Sequence, residues 1–306
     1  MTALYTLCAL VGFAANSILC RLALRPGAID AASFTSVRLL SGALALWLLV
    51  TLRAGRTSRP RGSKGRGSSH AGSWASAGLL FAYALPFSIA YVTLGVATGA
   101  LILFLCVQAT MLAGAVLSGE RIHWLEVNGI AVALAGLAHL MAPGLSAPPP
   151  EGAALMALAG IAWGLYSLRG RRSTDAIGET ASNFARSVPM ALAAFAMAAP
   201  LGHLHLSPRG LLLASASGIL ASGAGYAAWF AALPRVNSLL AAALQLTVPL
   251  IAAVGGIVLL GEQATRRLVL SALLILGGVG LAIGGRARRA QDAERRAAQS
   301  RERETP

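Results

Sequence analysis

The chain has 306 residues, of which 56% are hydrophobic and 12% charged, with a mean hydropathy of +0.69. A water-soluble domain carries roughly 25% charged residues, so a soluble globule is excluded. The net charge of +14 is concentrated in a loop and a tail that interleave no aromatics with their arginines, which excludes a nucleic-acid platform.

A helix needs about 20 apolar residues to cross a bilayer. In chain order, ten such spans are expected near 2–22, 31–52, 73–93, 98–118, 124–142, 152–168, 180–200, 209–232, 236–260 and 266–285. Their apolar character is continuous rather than alternating, which selects helices over barrel strands. The first span has no basic leader and runs too long for a signal peptide, so it is read as structure. Cys8, Cys20 and Cys106 lie in or at the ends of spans and read as small core residues. Arg53, Arg56, Arg59, Arg61, Lys64 and Arg66 crowd the loop after the second span, and seven arginines crowd the tail after Gly285. Both segments read as disordered and membrane-proximal. With both termini inside, 18 of the 25 basic residues face the cytoplasm and 5 face outward. The positive-inside rule therefore predicts cytoplasmic termini in a plasma or inner membrane.

Sliding residues 9–45 onto 157–193 without a gap matches 11 of 37 positions, including Gly12/Gly160, Arg21/Arg169, Ala28-Ile29/Ala176-Ile177 and Arg38/Arg186. The halves also close alike, LSGER (117–121) against LLGEQ (259–263). Five spans per half is odd, so the halves enter the membrane in opposite directions, as in the inverted repeats of secondary transporters. The expected organisation is a first repeat over 1–145, a Pro-rich linker over 146–151, a second repeat over 152–285 and a disordered basic tail over 286–306.

The stretches TGALILFLCVQATM (98–111), LMALAGIAWGLYSLRGRR (155–172) and ALQLTVPLIAAVGGIVLLGE (243–262) resemble the EamA family of the drug/metabolite transporter superfamily. The resemblance covers about 9–142 and 152–285. It implies an all-α membrane protein of ten helices around a central pocket, working by alternating access. Members of that superfamily move small metabolites such as amino acids, nucleotide precursors or sugar phosphates, often outward. The resemblance also makes Glu120 and Glu262, which end their spans in a Gly-Glu pair, structural or interfacial; proton coupling is the alternative. Pro249 matches the family's ninth-span proline, whereas the first half has Thr110 or Met111 there, so the two halves are not strictly symmetric.

Arg38 and Arg186 interrupt otherwise apolar spans about seven residues in, roughly 10 Å deep at 1.5 Å per residue. A charge at depth is costly, about 2.5–3.5 kcal/mol on insertion scales, so it usually marks function. Each arginine contacts an anionic group or gates one mouth of a shared pathway. The competing reading is that each snorkels to the nearer headgroup layer, helped by Asp30 or Glu179 about two turns earlier. Gln108, Gln245, Tyr166, Trp163 and Asn183 either line a pocket or hydrogen-bond between helices; Trp163 and Tyr166, three apart, share a face. Trp47, Trp74 and Trp124 suit an interfacial belt. Gly95–Gly99, Gly160–Gly164 and Gly280–Gly284 are small-xxx-small pairs that predict close helix packing.

No acid falls in mid-span, which argues against a buried carboxylate relay and against paired aspartates holding Mg²⁺. His203 and His205 read as loop residues rather than a metal pair. No phosphate-binding or serine-hydrolase motif is present in the sequence. The expectation is a secondary transporter, not an enzyme, that exports a small metabolite such as an amino acid. Its partners are that substrate and membrane lipids, with no nucleic acid, cofactor or metal. The alternatives are a non-transporting membrane subunit or sensor, and a lipid-modifying membrane enzyme.

Overall fold

The computed structural model describes residues 2–25, 27–56, 72–117, 123–142, 147–170, 175–202, 204–232, 244–245 and 247–304. Among them, every regular element is helical apart from a single antiparallel bridge, Ile29 to Leu206. Ten helices follow in order: α1 Thr2–Leu24, α2 Ala31–Arg56, α3 Trp74–Thr93, α4 Val96–Leu117, α5 Trp124–Met141, α6 Pro150–Gly170, α7 Ala176–Ala198, α8 over 208–232, α9 Thr247–Leu260 and α10 Arg266–Glu304. Seven of these are long and apolar enough to cross a membrane. Their starts are written in the sequence as side-chain caps. Asp30 accepts from Ser33 N at 2.9 Å, Ser73 from Ser76 N at 3.0 Å, Asp175 from Gly178 N at 3.1 Å and Ser207 from Gly210 N at 3.1 Å. Each satisfies a backbone donor that the helix itself leaves open.

Two elements depart from the sequence expectation. Helix α10 does not stop near 285; residues 286–304, read as a disordered tail, continue it. Apart from Asp292 and Ser300, that stretch is built from Ala, Arg, Gln and Glu, all strong helix formers, and helix propensity is a signal that hydropathy ignores. Helix α8 changes its winding: Pro208–Ala216 is α-helical, Ser217–Ala224 is π-helical and Gly225–Ala232 is α-helical again. Such wide turns are rare and cluster at functional sites.

The main packing partners are α1 with α8 and α9, α2 with α7 and α8, α3 with α6 and α7, α4 with α6 and α9, and α5 with α10. Exchanging α1–α5 for α6–α10 maps this set of pairs onto itself. Packing is tightest at small residues. A Cβ on Gly160 would stand 2.6 Å from the Leu103 carbonyl, and one on Gly129 would stand 2.4 Å from Ala282 N and Gly278 O. The expected pair Gly280–Gly284 is not a packing face: a Cβ there meets nothing within 4 Å, and α10 approaches α5 through Gly278 and Gly285. Side chains such as Trp47, Trp74 and Trp124 stay exposed on the outer surface, as a lipid-facing rim requires.

Candidate functional site

Arg38 is the largest fully buried side chain among the described residues, with 2% of its surface exposed. Its surroundings come from four helices. Nη2 donates to the Tyr83 hydroxyl of α3 at 3.2 Å, and Nε donates to Ser222 Oγ of α8 at 3.3 Å. Asn16 of α1 donates to the same Tyr83 hydroxyl at 3.1 Å, and Ser217 of α8 donates to Asn16 Oδ1 at 2.6 Å. Ser217 and Ser222 both belong to the π-helical stretch. Its i→i+5 bonding brings residues five apart onto one face, where ordinary α winding would turn them away from each other. Gly218 between them lets α8 close on α2, since a Cβ there would stand 2.4 Å from the Arg38 carbonyl.

Aromatic rings complete the shell. The Arg38 guanidinium carbon lies 5.3 Å from the ring centroids of both Tyr83 and Phe87, within cation–π range. Tyr83, Phe87 and Tyr91 repeat every fourth residue on α3 and touch in sequence, with centroids 5.2 and 4.7 Å apart. Trp163 of α6 packs on Tyr83 at 4.9 Å and on Tyr226 of α8 at 5.4 Å. Among the described residues no carboxylate lies within ion-pair distance of Arg38, and Nη1 has no hydrogen-bond partner. Asp30, expected as an aid to snorkelling, caps α2 and accepts the backbone N–H of His205 at 3.0 Å. Arg38 therefore does not snorkel; it is held among the rings.

Arg186, its counterpart in sequence, sits elsewhere. It is half-buried and donates to the Gly72 carbonyl and to Ser182 Oγ, at the start of α3 rather than its middle. Asn183 beside it accepts from Ser73 N at 3.0 Å and donates to the Tyr166 hydroxyl at 3.4 Å. Tyr166 stacks against Trp163 at 5.5 Å. Of the residues singled out from sequence, Arg38, Trp163, Tyr166, Asn183 and Arg186 thus fall along one line from the middle of α3 to its N-terminus. Gln108 is buried on α4 and Gln245 is half-buried before α9. Glu120 lies outside the described residues.

Glu262 belongs to the opposite end. Gly261 ends α9 in the left-handed region at φ 66°, and its N–H bonds the Ile257 carbonyl at 3.2 Å. This helix-ending turn favours glycine because any Cβ is strained there. It swings Glu262 over the start of α4, where both carboxylate oxygens accept Val96 N–H, at 2.9 and 2.8 Å. Arg21 of α1 lies 3.8 Å from that carboxylate and donates to the Tyr91 and Val92 carbonyls, each at 2.7 Å. One carboxylate caps the beginning of α4 and one guanidinium caps the end of α3, so the α3–α4 corner is clamped by opposite charges at complementary helix dipole ends.

Residues 150–284 match the EamA-like transporter family. Over 289 residues the chain is 46% identical to the uncharacterized protein PA1977 of Pseudomonas aeruginosa, covering 94% of this chain and 96% of that one. The chain belongs to the EamA-like transporter family. A solved crystal structure with 22% identity shares the fold at a TM-score of 0.60, over 92% of this chain and 98% of the other. EamA proteins are transporters of the drug/metabolite superfamily, and this one is a multi-pass helical membrane protein.

The sequence reading of this EamA chain missed Asn16, Tyr83, Phe87, Ser217, Ser222 and Tyr226. The aromatic spacing in YALPFSIAY (83–91) was a readable signal, because positions four apart stack along one helix face. The serines carried no such mark, since small hydroxyl residues are ordinary helix-packing groups in membranes.

Proposed function

We propose that the protein is a secondary transporter that exports a small metabolite across the plasma or inner membrane by alternating access between two inverted five-helix halves, 1–145 and 152–285. The observation that carries this reading is the buried Arg38 network, where α1, α2 and α3 of one half meet α8 of the other. A polar cluster joining two halves at membrane depth is where repeat-built transporters hold their cargo. The packing pairs that survive exchange of the halves support the duplicated design. Arg38, Trp163, Tyr166 and Asn183 line the pathway in this reading, with Arg186 at one mouth; Gln108 and Gln245 are assigned to it from sequence position, and Glu120 is the counterpart of Glu262. Both termini are cytoplasmic.

Counterflow in proteoliposomes tests the transport reading. Vesicles holding purified protein are preloaded with pooled metabolites, and uptake of labelled tracer is followed. Saturable tracer accumulation in wild-type vesicles, with loss in Arg38→Ala, is expected; equal saturable rates in the two would remove Arg38 from the pathway, and no accumulation in either would favour a non-transporting subunit. Topology is tested separately by single-cysteine labelling after replacing Cys8, Cys20 and Cys106. Ser63→Cys and Ser300→Cys are expected to react from the cytoplasm and Ser146→Cys from outside; Ser63 and Ser146 lie outside the described residues. Labelling of positions 63 and 146 from the same side would rule out the inverted arrangement.

A further inference from the structure

We infer that the cargo is a small organic monoanion, a carboxylate head on an apolar or aromatic body, and not a zwitterion or a cation; the inference rests on the transporter reading above. Arg38 Nη1 is buried without a hydrogen-bond partner among the described residues, and a buried donor left unmade is costly. A planar carboxylate is the ligand that a guanidinium fork takes in two parallel hydrogen bonds. Arg38 brings one positive charge with no carboxylate in ion-pair range among the described residues, so one negative charge on the cargo neutralises the site and two overshoot it.

The same accounting excludes a matched partner for an ammonium group. Among the described residues, the acids before the α10 extension sit at helix ends: Asp30 caps α2, Asp175 caps α7, Glu262 caps α4, and Glu126, Glu151 and Glu179 lie in the first turns of α5, α6 and α7. The faces of Tyr83 and Phe87, which would serve a cation, are already taken by Arg38 itself. The adjoining rings of Trp163 and Tyr226 offer apolar contact to the body of the cargo.

A second observation has the same sign. A shallow, open hollow lies at the Glu262 end of the bundle, lined by Arg21, Leu22, Arg25, Arg209 and Leu260. The three guanidiniums in this lining make the mouth attractive to anions. Arg21 bonds the Tyr91 carbonyl, and the Tyr91–Phe87–Tyr83 ladder runs from there to Arg38. Mouth and centre are thus joined along one face of α3.

The test is counterflow with wild-type full-length protein and pools sorted by charge on matched skeletons. The pools are 3-phenylpropionate with 4-methylpentanoate, phenylalanine with leucine, phenethylamine with isopentylamine, and phenylsuccinate with glutarate. Saturable exchange confined to the monocarboxylate pool is expected. In Arg38→Gln that exchange should fall about tenfold to a hundredfold, the worth of a hydrogen bond to a charged group, with partial recovery in Arg38→Lys. Saturable exchange of the amino acids, amines or dicarboxylates without the monocarboxylates would overturn the anion assignment and leave transport standing. No exchange from any pool would overturn the transport reading and this inference with it. The wild-type comparison decides between charge classes even if the variants fail to fold.

Discussion

Glu262→Ala is expected to destabilise the folded protein by about 3–5 kcal/mol, the range for removing one partner of a buried ion pair. The two side chains are 9% and 13% exposed, so the lost partner is replaced only in part, by water at the mouth that Arg21 lines. The substitution also frees the Val96 N–H at the start of α4, which both carboxylate oxygens now satisfy. Glu262→Gln should fall between wild type and Ala, because an amide oxygen still caps Val96 while the charge facing Arg21 is gone. The cycle Arg21→Met, Glu262→Ala and the double variant, followed by chemical unfolding in detergent, isolates the coupling. Neighbouring groups of this kind couple by about 0.5–3 kcal/mol, so the double variant should lose less than the sum of the singles. Strict additivity would mean that the two caps act independently and that the 3.8 Å approach contributes nothing.

A single methyl group should have a comparable effect where α5 crosses α10. In Gly129→Ala the new Cβ stands 2.4 Å from Ala282 N and Gly278 O. Both contacts are backbone, so no side-chain rotation relieves them and the two helices must part. Overpacking of this sort costs about 1–3 kcal/mol, here with added loss of contact along the seam. Gly280→Ala on α10 supplies the control: its Cβ meets nothing within 4 Å, and alanine is the better helix former by about 1 kcal/mol. The control should be neutral or mildly stabilising. Equal melting temperatures for the two variants would show that α5 and α10 do not approach as closely as described.

The seven helices able to cross a membrane were legible because a bilayer leaves backbone groups no partner but their own helix, which forces long apolar runs. The C-terminal extension of α10 was not, since apolarity carries no information once a helix leaves the lipid. Arg38 was conspicuous by its depth, yet its partners were hidden. Tyr83 lies 45 residues away in sequence and Ser222 lies 184 away, and the serine faces Arg38 only because α8 changes its winding. The identity of Arg38 and Arg186 in the aligned halves suggested equal roles. Their surroundings differ, one ringed by aromatics and one at the entrance to α3, so identical residues at matched positions need not share an environment. The Gly-Glu pair was readable as a motif, but its use as a clamp depends on a left-handed turn at Gly261 and on where α4 begins.

The uninterrupted course of α10 to Glu304 has a practical consequence for imaging. A chain of 31.2 kDa embedded in a detergent or lipid disc offers little outside the membrane by which single particles are aligned. Residues 286–304 extend about 28 Å beyond Gly285 at 1.5 Å per residue. A helical partner fused in register to that end would share one continuous backbone with the membrane domain and move with it as a rigid marker.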